Sequence, residues 1–227
     1  MSQEPDAGST SGAGCDTSDM ILVHGLLRHV YQAAPELIAQ VPDGDTVRAG
    51  AVADHLEFLN RFLHNHHRSE DLVLWDELAA RSPGCALHVG LMKRQHEGVA
   101  DVIGRMEPVI ASWRSSGSTA DRERIGELLQ ELNGLLFHHL GDEETRILPV
   151  ISATWTQEEW ERLGKHAQKG MQPKQLMVVI GFMLESMTPE QRDELLRSAP
   201  KVMRVVYRLY GRRVFRSYRS RAYGLTS

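Results

Sequence analysis

HHRSEDLVLW, residues 66–75, and HLGDEETRILP, residues 139–149, are the two stretches whose reading decides the fold of this chain. Each opens His-x-x-x-Glu, as His66 with Glu70 and His139 with Glu143. On a helix, residues four apart project from one face, one turn apart. The first pair continues the apolar spacing Leu56, Leu59, Phe62, Leu63 and is followed by Val73 and Leu74. The second continues Leu132 and Leu136 and leads to Ile147. Histidine and glutamate therefore interrupt the stripe that should be buried. A buried carboxylate without a partner is costly, and two of them beside imidazoles would be relieved by a cation.

Working outward, two more segments carry one histidine each on an apolar face. These are Met20, Ile21, His24, Leu27, Tyr31 and Met92, His96, Val99, Ile103, Met106. Breakers separate the segments at Val41-Pro42-Asp43-Gly44-Asp45, at Arg81-Ser82-Pro83-Gly84 and over 115–118. The pattern predicts helices over 19–40, 46–80, 86–114 and 119–152, the first capped by Ser18 or Asp19. Four long amphipathic helices joined by short turns give an all-α, up-down-up-down four-helix bundle over 19–152. No run alternates β-branched with polar residues, so no sheet is expected. Residues 1–18, small and polar, read as a disordered leader. Residues 153–227 read as an appendage of additional C-terminal helices over 156–167, 173–185, 188–198 and 201–219. The first of these opens Thr156-Gln157-Glu158-Glu159, a capping box.

A single His-x-x-x-Glu carries no weight. With 11 histidines in 227 residues, chance supplies about one, and alone it reads as a surface pair. The register between the two is what counts. His24 to His96 spans 72 residues, while His66 to His139 and Glu70 to Glu143 each span 73. The bundle is thus two helix hairpins repeated about a pseudo-two-fold axis. Each half offers two histidines and one carboxylate, so His24, His66, Glu70, His96, His139 and Glu143 are the candidate metal ligands. Imidazole with carboxylate suits iron, manganese or zinc alike.

The order His, His-x-x-x-Glu, His, His-x-x-x-Glu resembles the hemerythrin-like cation-binding domain family. The two quoted stretches look like that family's signatures, as does Gln95-His96-Glu97. The resemblance implies two iron ions bridged by the two carboxylates and an oxo or hydroxo group. It implies a protein that binds or reduces a small oxidant: oxygen, nitric oxide or hydrogen peroxide. A di-iron peroxidase, a catalase-like enzyme or a nitric-oxide-detoxifying oxidoreductase fits. So does a sensor signalling through the C-terminal helices, an iron store, or a structural zinc protein. No side chain stands out as a catalytic acid or base. The chain departs from oxygen-carrying hemerythrins, which have a second histidine four residues from the helix-C one. Here those positions are Met92 and Ala100. Those carriers also use the carboxylate at the Glu144 position. Tyr31 is a candidate to complete the coordination or a core tyrosine. His67 with Asp71 and His138 with Asp142 read as supporting partners or surface pairs.

Net charge is -4, yet the eight basic residues after position 200 face no acidic one there, so the remainder carries about -12. An arginine and aromatic tail could meet nucleic acid or an anionic surface. The acidic remainder favours the tail lying on the bundle instead. Two cysteines, Cys15 and Cys85, do not suggest a structural disulfide and fit a reducing cytosol. The first 19 residues lack the basic start and apolar run of a signal peptide. The run 176–184 is too short to span a bilayer.

Overall fold

A computed structural model describes residues 14–224. The chain runs through α1 (Ser18–Ala39), α2 (Thr46–Val73), α3 (Trp75–Arg81), a 3-10 turn (Pro83–Cys85), α4 (Ala86–Ser116) and α5 (Thr119–Asp142). A π-turn (Glu143–Ile147) then leads into α6 (Leu148–Thr154). α1, α2, α4 and α5 form the bundle, each packed on the next and α5 closing back on α1. No strand occurs among the described residues.

The core is layered along the bundle. One apolar cluster holds Leu27, Leu63, Val99 and Leu136. The other, nearer the chain's entry, holds Met20, Leu74, Met92 and Ile147. On every bundle helix the polar site residues fall between a residue of one cluster and a residue of the other. Fully burying a large apolar side chain such as Leu27 or Leu63 stabilises the fold by roughly 1.5–3 kcal/mol. At the far end, the Gly44 N–H donates to the Gly117 carbonyl at 2.9 Å, pinning the two hairpin turns together. Gly117 has φ 62°, and a Cβ there would lie 2.9 Å from the Gly44 backbone, so only glycine suits this closure.

Helix ends differ from the sequence expectation in three places. α1 is opened by Asp16, whose carboxylate accepts from the Ser18 N–H at 2.9 Å; Asp19 instead accepts from the Trp160 indole at 2.8 Å. The helix expected over 46–80 bends at Leu74 before continuing as α3. The helix expected over 119–152 opens into the π-turn, where the Leu148 N–H reaches the Glu143 carbonyl. Pro149 explains this: it lacks an N–H and its ring would crowd the carbonyl four residues back.

Of the leader expected over 1–18, residues 1–13 lie outside the described residues. Residues 14–17 run along the base of the bundle. Gly14 and Cys15 donate to the Trp155 and Ser152 carbonyls at 3.0 Å, and Cys15 is buried. Cys15 and Cys85 are both free thiols.

The remaining helices are α7 (Gln157–Ala167), α8 (Pro173–Ser186), α9 (Pro189–Ser198), α10 (Lys201–Val206), a second π-turn (Tyr207–Gly211) and α11 (Arg212–Tyr223). Thr156 and Glu159 form the expected capping box of α7, which packs on α2. α8 packs on α1, and α11 lies across α8 and α2. Phe182, Phe215 and Tyr218 extend the larger core cluster. The tail was expected to lay its arginines on the acidic bundle. Only its end does so, where Arg221 pairs with Asp54, and Arg219 pairs with Glu185 of α8 at 2.8 Å. Over 201–213 Val202 and Leu209 are exposed, while the second π-turn packs on α8. Among the described residues no helix is long and apolar enough to cross a membrane.

Candidate metal centre

The four helices bring His24, His66, Glu70, His96, His139 and Glu143 to one level of the bundle, all buried. They fall into two adjoining groups. His24 and His66 gather with Glu70 and Glu143; His96 and His139 gather with His67. The carboxylates lie between the groups. Glu70 has one oxygen 3.2 Å from His66 Nε2 and the other 3.4 Å from His96 Nε2. Glu143 Oε2 lies 3.4 Å from His24 Nε2 and 3.7 Å from His139 Nε2. His96 and His139 Nε2 are 3.2 Å apart.

The outward ring nitrogens are held. His24 Nδ1 meets Glu144 Oε1 at 2.9 Å, and Arg28 donates to the same oxygen at 2.6 Å. His96 Nδ1 meets Asp71 Oδ1 at 2.8 Å, an oxygen that also accepts from the Trp75 indole at 2.8 Å. His139 Nδ1 meets Gln95 Oε1 at 3.2 Å, and Gln95 Nε2 donates to Asp142 at 2.9 Å. An imidazole that donates from Nδ1 keeps its Nε2 lone pair for a metal.

Inside the cluster, both oxygens of Glu70 and of Glu143 are buried without a hydrogen-bond partner, as are Nε2 of His24, His66 and His67. Burial, then the charge of Glu143, pushes the Glu70 carboxyl well above its ordinary range. Burial also works to raise Glu143, but the adjacent His24 imidazole overrides it and holds the carboxyl below its ordinary range. Burial drives His66 and His139 down to about 3, the neutral form that binds metal. Unpartnered buried carboxylates beside the neutral imidazoles of His66 and His139 suit a cation of charge two or three, so the residues present fit a bound metal.

The sequence reading placed His67 as a supporting partner of Asp71 or on the surface. The structure instead buries it, stacked on His96 with ring centroids 4.1 Å apart, and gives Asp71 to His96. The signal was present: His67 follows Leu63 by four residues and precedes Glu70 by three, which is the inward face. His138 is the pair that stays outside, with Nε2 3.2 Å from Asp142. Tyr31 belongs to the core: its hydroxyl donates to Asn60 Oδ1 at 3.0 Å. Glu143 points inward where oxygen carriers use the next position, and Glu144 braces His24. A pocket of about 380 Å³ between α2 and α4 reaches His67 and His96, and Ala100, one of the two positions of the absent helix-C histidine, lines it.

Residues 17–151 match the hemerythrin HHE cation-binding domain. The chain belongs to this family. The hemerythrin HHE match covers the bundle from α1 to the middle of α6 and contains all seven clustered side chains. The chain is also similar to an uncharacterized protein of Dictyostelium discoideum, 20% identical over 189 residues, covering 78% of this chain and 73% of that one. No solved structure gives a significant match. A hemerythrin HHE domain carries a His/Glu cation-binding site, and the polar layer of this bundle supplies those residue types.

Proposed function

We propose that the chain holds two iron ions in the polar layer of its bundle and there binds or reduces a small oxidant. Oxygen, nitric oxide and hydrogen peroxide are the candidates. One observation carries the reading: each buried carboxylate lies between two imidazole groups, Glu70 between His66 and His96, Glu143 between His24 and His139. One metal would take His24 and His66. The other would take His96, His139 and His67, with both carboxylates shared. His67 then stands in, from α2, for the helix-C histidine that the sequence lacks. Iron in such a site supplies redox change and Lewis acidity.

The chain's own residues supply the rest. Glu144, Asp71 and Gln95 fix the imidazoles, so that little reorganisation accompanies binding. The apolar clusters above and below keep bulk water out. The pocket at His67 and Ala100 gives a diatomic molecule or a peroxide a way to the polar layer.

Metal analysis and an absorption spectrum test this reading. Protein from iron-replete cells should carry iron near two per chain and absorb in the near ultraviolet when oxidised. His66→Ala should abolish the spectrum. His67→Ala should lower iron content and shift the bands. Full iron with an unchanged spectrum in both variants would mean that the ligand set is wrong. A second reading, a sensor, is favoured by α1, which carries His24 and packs directly on α8. Steady consumption of peroxide or nitric oxide supports an oxidoreductase. Saturable binding that alters the C-terminal helices supports the sensor.

A further inference from the structure

The basic residues of the C-terminal helices divide by what they touch. Arg219 and Arg221 have acidic partners. Arg204, Arg208 and Arg212 ion-pair with no carboxylate among the described residues. They belong to one stripe, with Arg216, recurring every four residues from α10 into α11. That stripe lines a cleft of about 1030 Å³ whose opposite wall is α8 and α9, from which Arg192 projects. Seven cationic side chains line the cleft against two carboxylates, Glu185 and Asp193. Glu185 is engaged by Arg219, and of the seven cations Arg197 is paired with Glu194 at 2.7 Å. Like charges one turn apart repel. Here they share a recess without an acidic partner for Arg204, Arg208 or Arg212 among the described residues.

We propose that this cleft binds a compact ligand carrying more than one phosphate group. The guanidinium fork matches phosphate oxygens in bidentate fashion. Arginines one helical turn apart, about 5.4 Å, meet successive phosphate groups of one ligand. Leu184, Val205 and Phe215 in the lining offer apolar surface to its organic part. A duplex nucleic acid fits poorly, because these cations line a recess instead of a projecting face. Two sources share the chemistry: a soluble polyphosphate or nucleotide, and a phosphorylated lipid headgroup. Val202, Val206 and Leu209, exposed on the same helix beside the cleft, would rest in the bilayer interface in the second case.

The full chain should be titrated with tripolyphosphate by calorimetry. It should also be floated with phosphatidylcholine vesicles, with and without a phosphoinositide. Binding of tripolyphosphate assigns a soluble source; binding only of phosphoinositide vesicles assigns the bilayer. Either should weaken as salt rises and fall about tenfold or more in Arg208→Glu/Arg212→Glu, which removes two charge-assisted contacts. Both positions are exposed, so thermal stability and iron content should not change. Arg213→Glu, outside the cleft lining, should leave binding within about twofold. The proposal is overturned if neither probe binds, or if Arg213→Glu weakens binding as much as the cleft variant.

Discussion

Asp71 Oδ1 holds two groups at once, the His96 ring and the Trp75 indole, each at 2.8 Å. It thereby fixes the tautomer of one proposed ligand histidine and the junction where α2 passes into α3. Removing such a bracing partner typically lowers metal affinity by about 10–100-fold. Asp71→Asn keeps an acceptor but loses the charge, so it should fall near the low end, about tenfold, measured by competition with a chelator. Equal affinity in the variant would show that His96 needs no brace. At this scale the sequence was readable wherever a side chain broke an apolar stripe. His24, His66, Glu70, His96, His139 and Glu143 all did. His67 was harder to read, because two adjacent histidines on one helix point about 100° apart and spacing alone favoured the first. The bracing residues were least readable. Gln95 and Glu144 act through contacts across helices, which no local pattern encodes.

Among the elements, helix existence followed from periodicity and helix interruption did not. The four bundle helices and their turns lie where Pro42, Pro83 and Gly117 end the apolar repeats. The π-turn at Glu143–Ile147 follows from Pro149 only once one asks which carbonyl its ring would strike. The placing of α11 rests on a subtler feature, Gly181 in α8. Phe215 lies against its backbone so closely that an added Cβ would sit 2.2 Å from the ring. Gly181→Ala should therefore force Phe215 outward and destabilise the fold by about 1–3 kcal/mol, the usual scale of overpacking. Urea denaturation measures the loss. Limited proteolysis should cut within 199–213 earlier than in the parent. Unchanged stability would mean that the α8–α11 contact contributes little. The same glycine lies inside the apolar run 176–184, where nothing local shows which side chain it admits.

Over the whole molecule, the bundle was legible in the sequence, whereas the seating of the appendage was not, because a polar residue inside a packed joint leaves no periodic trace. His55 is that residue. It is buried on α2, shares a 2.9 Å hydrogen bond with the Tyr218 hydroxyl, and lies near Phe182 and Tyr223. It thus joins bundle, α8 and α11. The polar layer itself links stability to metal. Stripping it with a chelator leaves Glu70 and Glu143 facing each other, and the melting temperature should drop by roughly 10 °C for a ligand held far above its dissociation constant. A metal-free chain melting at the same temperature would remove the argument from buried carboxylates. The joint adds a separate dependence on acid. Burial, then the charge of Arg48, lowers the His55 imidazole to about 4. Unfolded, it titrates near 6.5, so between these values the unfolded chain binds the extra proton and the folded chain does not. The stability His55 contributes is full above pH ~6.5 and is lost as pH falls through the folded value, about 3 kcal/mol in all. His55→Gln retains a polar group able to meet Tyr218 and cannot titrate. Urea midpoints from pH 7 to pH 4 should fall less steeply in that variant than in the parent. Metal release in acid affects both proteins alike, so the difference between the two slopes isolates the joint, and parallel slopes would show that it does not sense protons.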